Sequence, residues 1–352
     1  MQCSPSAPAE GTLSQRLEEL IAHLRRLRRA RTDGKLIFVL GSGISRSYHL
    51  PDWRELLERL LHDCGRVRDS SDIDSQIAFQ LQRLIPDPLL QAAIVRQGYL
   101  RPQLGVEAIR KHLEELTDFP AADKERPLYR IADLVMSQFE ADRHRHIPVL
   151  TFNYDDLLEK ALLARAAPVD HPWIQSISRE EDYASAVQSS GVFVHHLHGD
   201  ATDDESLIFD AKSYLRVLGS PGRHWSWDCL AANLLQRGSG VMFIGLSLVD
   251  PSLRLLLTHW ADKGLPLSGI YVYAPPSMPV PQLPGHRSRT AQLEAQLKLA
   301  HITRDIVRLF DEVLERLSLV PYHVTLWEEI NDLLEVIAFD ERLAPISAVS
   351  AR

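Results

Sequence analysis

Between Lys35 and Trp53 the chain reads KLIFVLGSGISRSYHLPDW, and this stretch restricts the fold more than any other. Leu36 to Leu40 is an unbroken apolar, β-rich run, which predicts a buried strand. It passes straight into Gly41-Ser42-Gly43-Ile44-Ser45, where small residues let the backbone approach something closely. Pro51 at a first-turn position, with Asp52 and Glu55 beside it, then opens a helix at the end of the dipole that favours acids. The unit is strand, glycine loop, helix. Its loop has two readings: a tight turn between strand and helix, or a cradle whose amides face a nucleotide phosphate. The G-x-G-x-x-G dinucleotide fingerprint is incomplete, because Arg46 follows Ser45.

Later segments bear on that choice. Ile147 to Phe152 predicts a second strand, ending at Asn153-Tyr154-Asp155 and followed by a helix through Leu157, Leu158 and Leu162. Val192 to Leu197 predicts a third, ending at His198-Gly199-Asp200. Gly240 to Ile244 predicts a fourth, ending at Gly245-Leu246-Ser247, with Asp250 and Pro251 capping and starting the next helix. Ser268 to Ala274 predicts a fifth, then a proline-rich loop from Pro275 to Pro284. A short strand at Val320 to Val324 lies between helices around Ile302 to Leu317 and Leu326 to Val336. Strands alternating with helices predict an α/β fold, a doubly wound, mostly parallel Rossmann-like sheet. Asp63 to His146 shows apolar residues at helical spacing only, and predicts a helical insertion over about 63–146 that forms a lid-like subdomain over one sheet edge. The domain organisation expected is a disordered start and amphipathic helix over 1–33, a catalytic domain over 34–338, and a loose tail over 339–352. In open parallel sheets ligands lie beyond the carboxyl ends of the strands, and polar, chemically capable residues stand at four such ends here.

Composition narrows the function classes. A net charge of -8 argues against a dedicated nucleic-acid binder, although Arg25, Arg26, Arg28, Arg29 and Arg31 form a local basic cluster, read chiefly as a solvated helix end. Three scattered cysteines supply neither a disulfide framework nor a four-cysteine zinc site. No apolar run reaches membrane-spanning length and no secretory signal is evident, so the chain is expected to be cytoplasmic and without membrane contact.

Gly41-Ser42-Gly43-Ile44-Ser45, Thr151-Phe152-Asn153-Tyr154-Asp155, His198-Gly199 and Gly245-Leu246-Ser247 together resemble, in order and spacing, the motifs of the sirtuin superfamily. Ser42, Phe152 and Tyr154 are substitutions in those motifs. Sirtuin deacetylases also carry two C-x-x-C pairs around a structural zinc ion. This chain has neither, so no zinc is expected. The Asn-Tyr-Asp variant, the helical stretch before it and the G-x-S-x-x-D pattern from Gly245 to Asp250 resemble instead the sirtuin-like NADases of bacterial antiphage defence. That resemblance implies cleavage of NAD, as substrate, to nicotinamide and ADP-ribose. It also implies homo-oligomers, or activation by a partner such as a HerA-type ATPase or an Argonaute-like protein.

On this reading Asn153 and His198 are the catalytic pair. Asn153 offers a neutral, bifunctional amide to a ribose hydroxyl or the attacking water. The alternative is a helix cap. His198 is the general base, or a satisfied turn histidine. Gly41, Ser42, Gly43 and Ser45 would receive the pyrophosphate and neighbouring ribose, with Arg46 to Leu50 covering it, and Gly245 and Ser247 the adenosine side. Asp155 holds the nicotinamide end, orients Asn153, or sits in the first helical turn. Trp53 closes over the ligand or packs beneath the loop. Strand alternation predicts His196 on the face of His198, with His195 opposite. Two further readings stand beside this one. One is a non-catalytic NAD or ADP-ribose binding module in a complex. The other is a metal-dependent hydrolase using His196, His198 and Asp200, whose H-x-H-x-D pattern lacks its last histidine because Ala201 stands there.

Overall fold

The computed structural model of the chain describes residues 10–66, 87–98, 102–114, 126–203, 205–218, 234–247, 250–262, 268–273, 319–324 and 329–338, with single positions 307, 311 and 314. Residues 1–9 of the start expected to be disordered, the loop over 275–284 and the tail beyond Asp340 lie outside these residues, as does nearly all of the helix expected over 302–317, while Glu10 and Gly11, also expected to be disordered, begin a helix.

Seven strands form one sheet: β1 (Leu36–Leu40), β2 (His146–Thr151), β3 (Ile174–Ile177), β4 (Gly191–His196), β5 (Gly240–Ile244), β6 (Ser268–Tyr273) and β7 (Leu319–His323), in the order β3-β4-β2-β1-β5-β6-β7. Every pairing is parallel. The doubly wound Rossmann-like sheet expected from the alternation of elements is therefore present. β3 has no counterpart in the sequence reading. It is four residues long, its two middle residues Gln175 and Ser176 are exposed, and it pairs only with β4 at the sheet edge.

The central strand is β1, between β2 and β5. Its side chains alternate between two cores. Leu36, Phe38 and Leu40 face α6 (Pro127–Ala141), α7 (Leu157–Arg165) and α11 (Ile330–Ala338), while Ile37 and Val39 face α10 (Pro251–Asp262). Both neighbours of β1 leave it in opposite directions through the sheet, so the strand order reverses there. That is the switch point at which such sheets open a crevice.

Helix α1 (Glu10–Thr32) lies across one face and is tied down by Arg28, whose guanidinium donates to the Val336 carbonyl near the end of α11 (3.1 and 2.7 Å). The described parts of the 63–146 stretch are helical and divide in two. α4 (Pro88–Gly98) and α5 (Pro102–Glu114) pack with α3 (Trp53–Arg66) around Leu57, Leu60, Val95 and Ile109, a small third core. α6 belongs to the main core instead. Its buried Gln138 accepts from the Leu36 amide (2.9 Å) and donates to the Leu36 carbonyl (3.1 Å), holding the start of β1 as another strand would. Among the described residues no helix is long and apolar enough to cross a membrane.

Candidate functional site

A cavity of about 400 Å³ opens at the carboxyl ends of β1, β2, β4 and β5, within the size range of small-molecule sites. Gly41 and Ser42 come to it from the loop after β1. Asn153 and Asp155 follow β2, His198 follows β4, and Gly245, Ser247 and Asp250 follow β5. Trp53, Leu56, Leu89 and Leu113, from α3, α4 and α5, supply an apolar wall. The three helices thus stand over the site at the centre of the sheet.

The glycines have a structural reason. Gly41 donates to the Ile244 carbonyl and Gly43 to the Gly245 carbonyl, each at 2.9 Å, which stitches the loop after β1 to the loop after β5. A Cβ on Gly41 would stand 2.5 Å from the Gly245 oxygen, and one on Gly245 2.6 Å from the Ile44 amide, where φ is already +71°. These amides are therefore engaged with backbone, and Gly43 lies behind the cavity wall. The loop is a tight turn, and its residues Gly41 and Ser42 also line the cavity.

Ser45 is also behind the wall, 1% exposed. Its hydroxyl donates to Asp155 Oδ2 and accepts from Asn153 Nδ2, both at 2.9 Å. Asn153 is therefore oriented through its amide nitrogen, and its Oδ1 is buried with no hydrogen-bond partner. An orphaned buried acceptor is costly unless something donates to it, and a ribose hydroxyl or a water has the required proton. Asp155 Oδ1 meanwhile accepts from the Leu157 amide (3.3 Å) at the start of α7. The aspartate thus both orients Asn153 and serves the helix turn. Burial, offset by the Ser45 and Leu157 hydrogen bonds, raises its carboxyl to about 6.

His198 is 5% exposed, with Phe152 edge-on at 4.9 Å between ring centroids and Tyr214 at 5.3 Å. Burial lowers its pKa, against the pull of the Asp250 carboxylate. Asp250 Oδ1 accepts from the Leu253 amide (3.0 Å), so it is the cap of α10 that the sequence predicts, and it lines the cavity as well. Trp53 packs on Phe209 and Tyr154 and lines the cavity.

The expectation that His196 shares a face with His198 is wrong, because β4 ends at His196 and the alternation ends with it. His196 lies under Asn153. Its Nδ1 donates to the Asn153 carbonyl (3.0 Å) and its Nε2 to Glu159 Oε1 of α7 (2.6 Å). Burial alone would depress this imidazole, but the Glu159 charge and hydrogen bond outweigh it and raise the pKa to about 9. His195 points to the other face among Phe193, Tyr183 and His146, with neither ring nitrogen hydrogen-bonded. Asp200 Oδ1 accepts from the Thr202 amide within its own turn (2.7 Å). The metal set His196, His198 and Asp200 is thus not assembled, and among the described residues no three His, Cys, Asp or Glu side chains are placed to hold an ion. Glu159 and Tyr214 escaped the sequence reading, since each reaches the site by a contact distant in sequence.

Residues 148–302 match the model of the SIR2-like domain, a span running from β2 through β6. The matched span holds Asn153 and His198 but not β1 or its glycine loop. The chain is also similar to Defense-associated sirtuin 2 of Bacillus subtilis, 23% identical over 237 residues. The matched stretch is 66% of this chain and 20% of that protein, so the chain spans about a fifth of the relative's length.

Proposed function

We propose that the protein is an NAD glycohydrolase that cleaves the nicotinamide–ribose bond to give nicotinamide and ADP-ribose. The observation that carries this reading is the orphaned Asn153 Oδ1, on a residue that lines, together with His198, a cavity walled by the loops after β1 and β5. The chemistry asks for little more. In NAD the pyridinium nitrogen is positively charged, so nicotinamide departs neutral as the C1′–N bond breaks, and no general acid is needed. Asn153 Oδ1 accepts from a ribose hydroxyl or from the water, His198 takes the proton the water loses, and the water oxygen forms the new bond to C1′. Trp53 and the leucines beside it offer the flat leaving group an apolar surface, and Ser42 and Ser247, which line the same cavity, serve the pyrophosphate and the adenosine side on this reading. SIR2-like domains act on NAD, which supports the choice of substrate.

The relative's name extends the reading to defence: NAD loss in an infected cell, triggered from outside this domain by a partner or by self-assembly. The test is nicotinamide release from NAD by purified protein, alone and with candidate activators. Release should fall at least about 100-fold in Asn153→Ala and in His198→Ala. Unchanged release in both variants would sink the mechanism.

A further inference from the structure

Two buried histidines lie two residues apart, each beside a carboxylate, and the two pairs are built differently. At His196 the contact is direct, Nε2 to Glu159 Oε1 at 2.6 Å, and the ring is held as a cation. At His198 the carboxylate is kept off. Asp250 Oδ2 stands 3.5 Å from Nε2, because the Tyr214 hydroxyl donates to that same oxygen at 2.9 Å and lies 3.3 Å from Nε2. A phenol has one hydrogen. With that hydrogen on Asp250, the Tyr214 oxygen can only accept from the imidazole, so Nε2 carries the ring proton.

We propose that Tyr214 is a positioning residue: it stands between Asp250 and His198, fixes the neutral Nε2–H tautomer, and leaves Nδ1 as the nitrogen that takes a proton. Both flanking groups are anchored. Tyr214 sits on α9 (Ala211–Leu218), whose start is closed by Ser213 donating its amide to Asp210 Oδ1 (2.8 Å), and Asp250 is fixed by capping α10. The titratable groups against His198 are Asp250, Tyr214 and Tyr154, and Asp155, Asp87 and Arg254 line the same cavity. Of these, only Asp250 is a carboxylate within ion-pairing distance of the ring. A base already protonated at working pH is no base. Without the hydroxyl, Oδ2 is free to close on Nε2 and form the kind of pair seen at His196.

The general-base role of His198 rests on the glycohydrolase reading, but the tautomer does not. The experiment is a pH titration of ring ¹⁵N shifts in histidine-labelled full-length protein, with the His198 signals identified by their loss in His198→Asn. Wild type should show the Nε2–H tautomer. The His198 titration should move up in Tyr214→Phe and down in Asp250→Asn, where the asparagine oxygen still caps α10. Circular dichroism checks that both variants fold. Opposite shifts cannot come from general loosening of the site. An Nδ1–H tautomer, or shifts in the same direction, would overturn the proposal. In Tyr214→Phe, nicotinamide release near pH 7 should fall about tenfold and recover as pH rises. If the ¹⁵N shifts behave as expected while His198→Ala cleaves NAD like wild type, the glycohydrolase reading fails and the tautomer assignment stands.

Discussion

Single side chains set the chemistry, and their protonation is open to measurement. Asp155 has its folded-state pKa raised from 3.8 to about 6, chiefly by burial. The stability that its protonation supplies is complete below the unfolded value and is lost as pH rises through about 6. Asp155→Asn keeps an oxygen for the Ser45 hydroxyl and removes the buried charge. It should raise stability at pH 7–8 by about 1–2 kcal/mol, allowing for partial exposure of the side chain, and leave it unchanged near pH 4. Urea unfolding at the two pH values checks this. The same reasoning, with the same sign, applies to His196, whose folded pKa is raised to about 9. Its stabilisation is complete below the unfolded value near 6.5 and is lost as pH rises through about 9. His196→Ala strands Glu159 inside the protein and removes the donor to the Asn153 carbonyl, at a cost of about 3 kcal/mol at pH 7. The loss should shrink by pH 10, as thermal melts will show.

At the scale of elements, the site exists because two loops close on each other. The loops after β1 and β5 share three features: backbone hydrogen bonds from Gly41 and Gly43, a left-handed Gly245, and no room for a methyl group at Gly41 or Gly245. Gly245→Ala meets strain at φ +71° as well as the Ile44 amide. It should cost about 2 kcal/mol or more in urea unfolding and reduce nicotinamide release. An alanine at an exposed helical position such as Arg54 should change neither by more than about 0.5 kcal/mol. Equal stability of Gly245→Ala and wild type would show that the loops need not touch.

In the whole molecule, a rigid parallel sheet carries the polar side of the site and a separate helical cluster, α3 with α4 and α5, carries its apolar wall. On the proposed function, a dinucleotide seated between them would bind the folded state alone. A non-hydrolysable NAD analogue at 100 times its dissociation constant should therefore stabilise the protein by about 2.7 kcal/mol. The accompanying loss of amide exchange should concentrate in α3, α4 and α5. An analogue that binds without protecting these helices would remove them from the site.

Local order in the sequence was enough for the sheet and for much of the cavity. Apolar runs ending in Gly41, Asn153, His198 and Gly245 announce parallel strands, and in such a sheet the carboxyl ends must lie side by side, so neighbouring positions followed from topology alone. A four-residue, half-polar edge strand such as β3 carries too little pattern to announce itself. Chemistry that depends on contacts between distant residues could not be read either. Ser45 behind Asn153, Glu159 against His196 and Tyr214 between Asp250 and His198 join residues separated by 108, 37, 36 and 16 positions. Identical imidazoles two residues apart differ in charge only because one meets its carboxylate directly and the other through a phenol. The sequence determined which groups the strand ends carry. The tertiary structure alone decided which of them are protonated, because protonation depends on burial and on partners a few ångströms away.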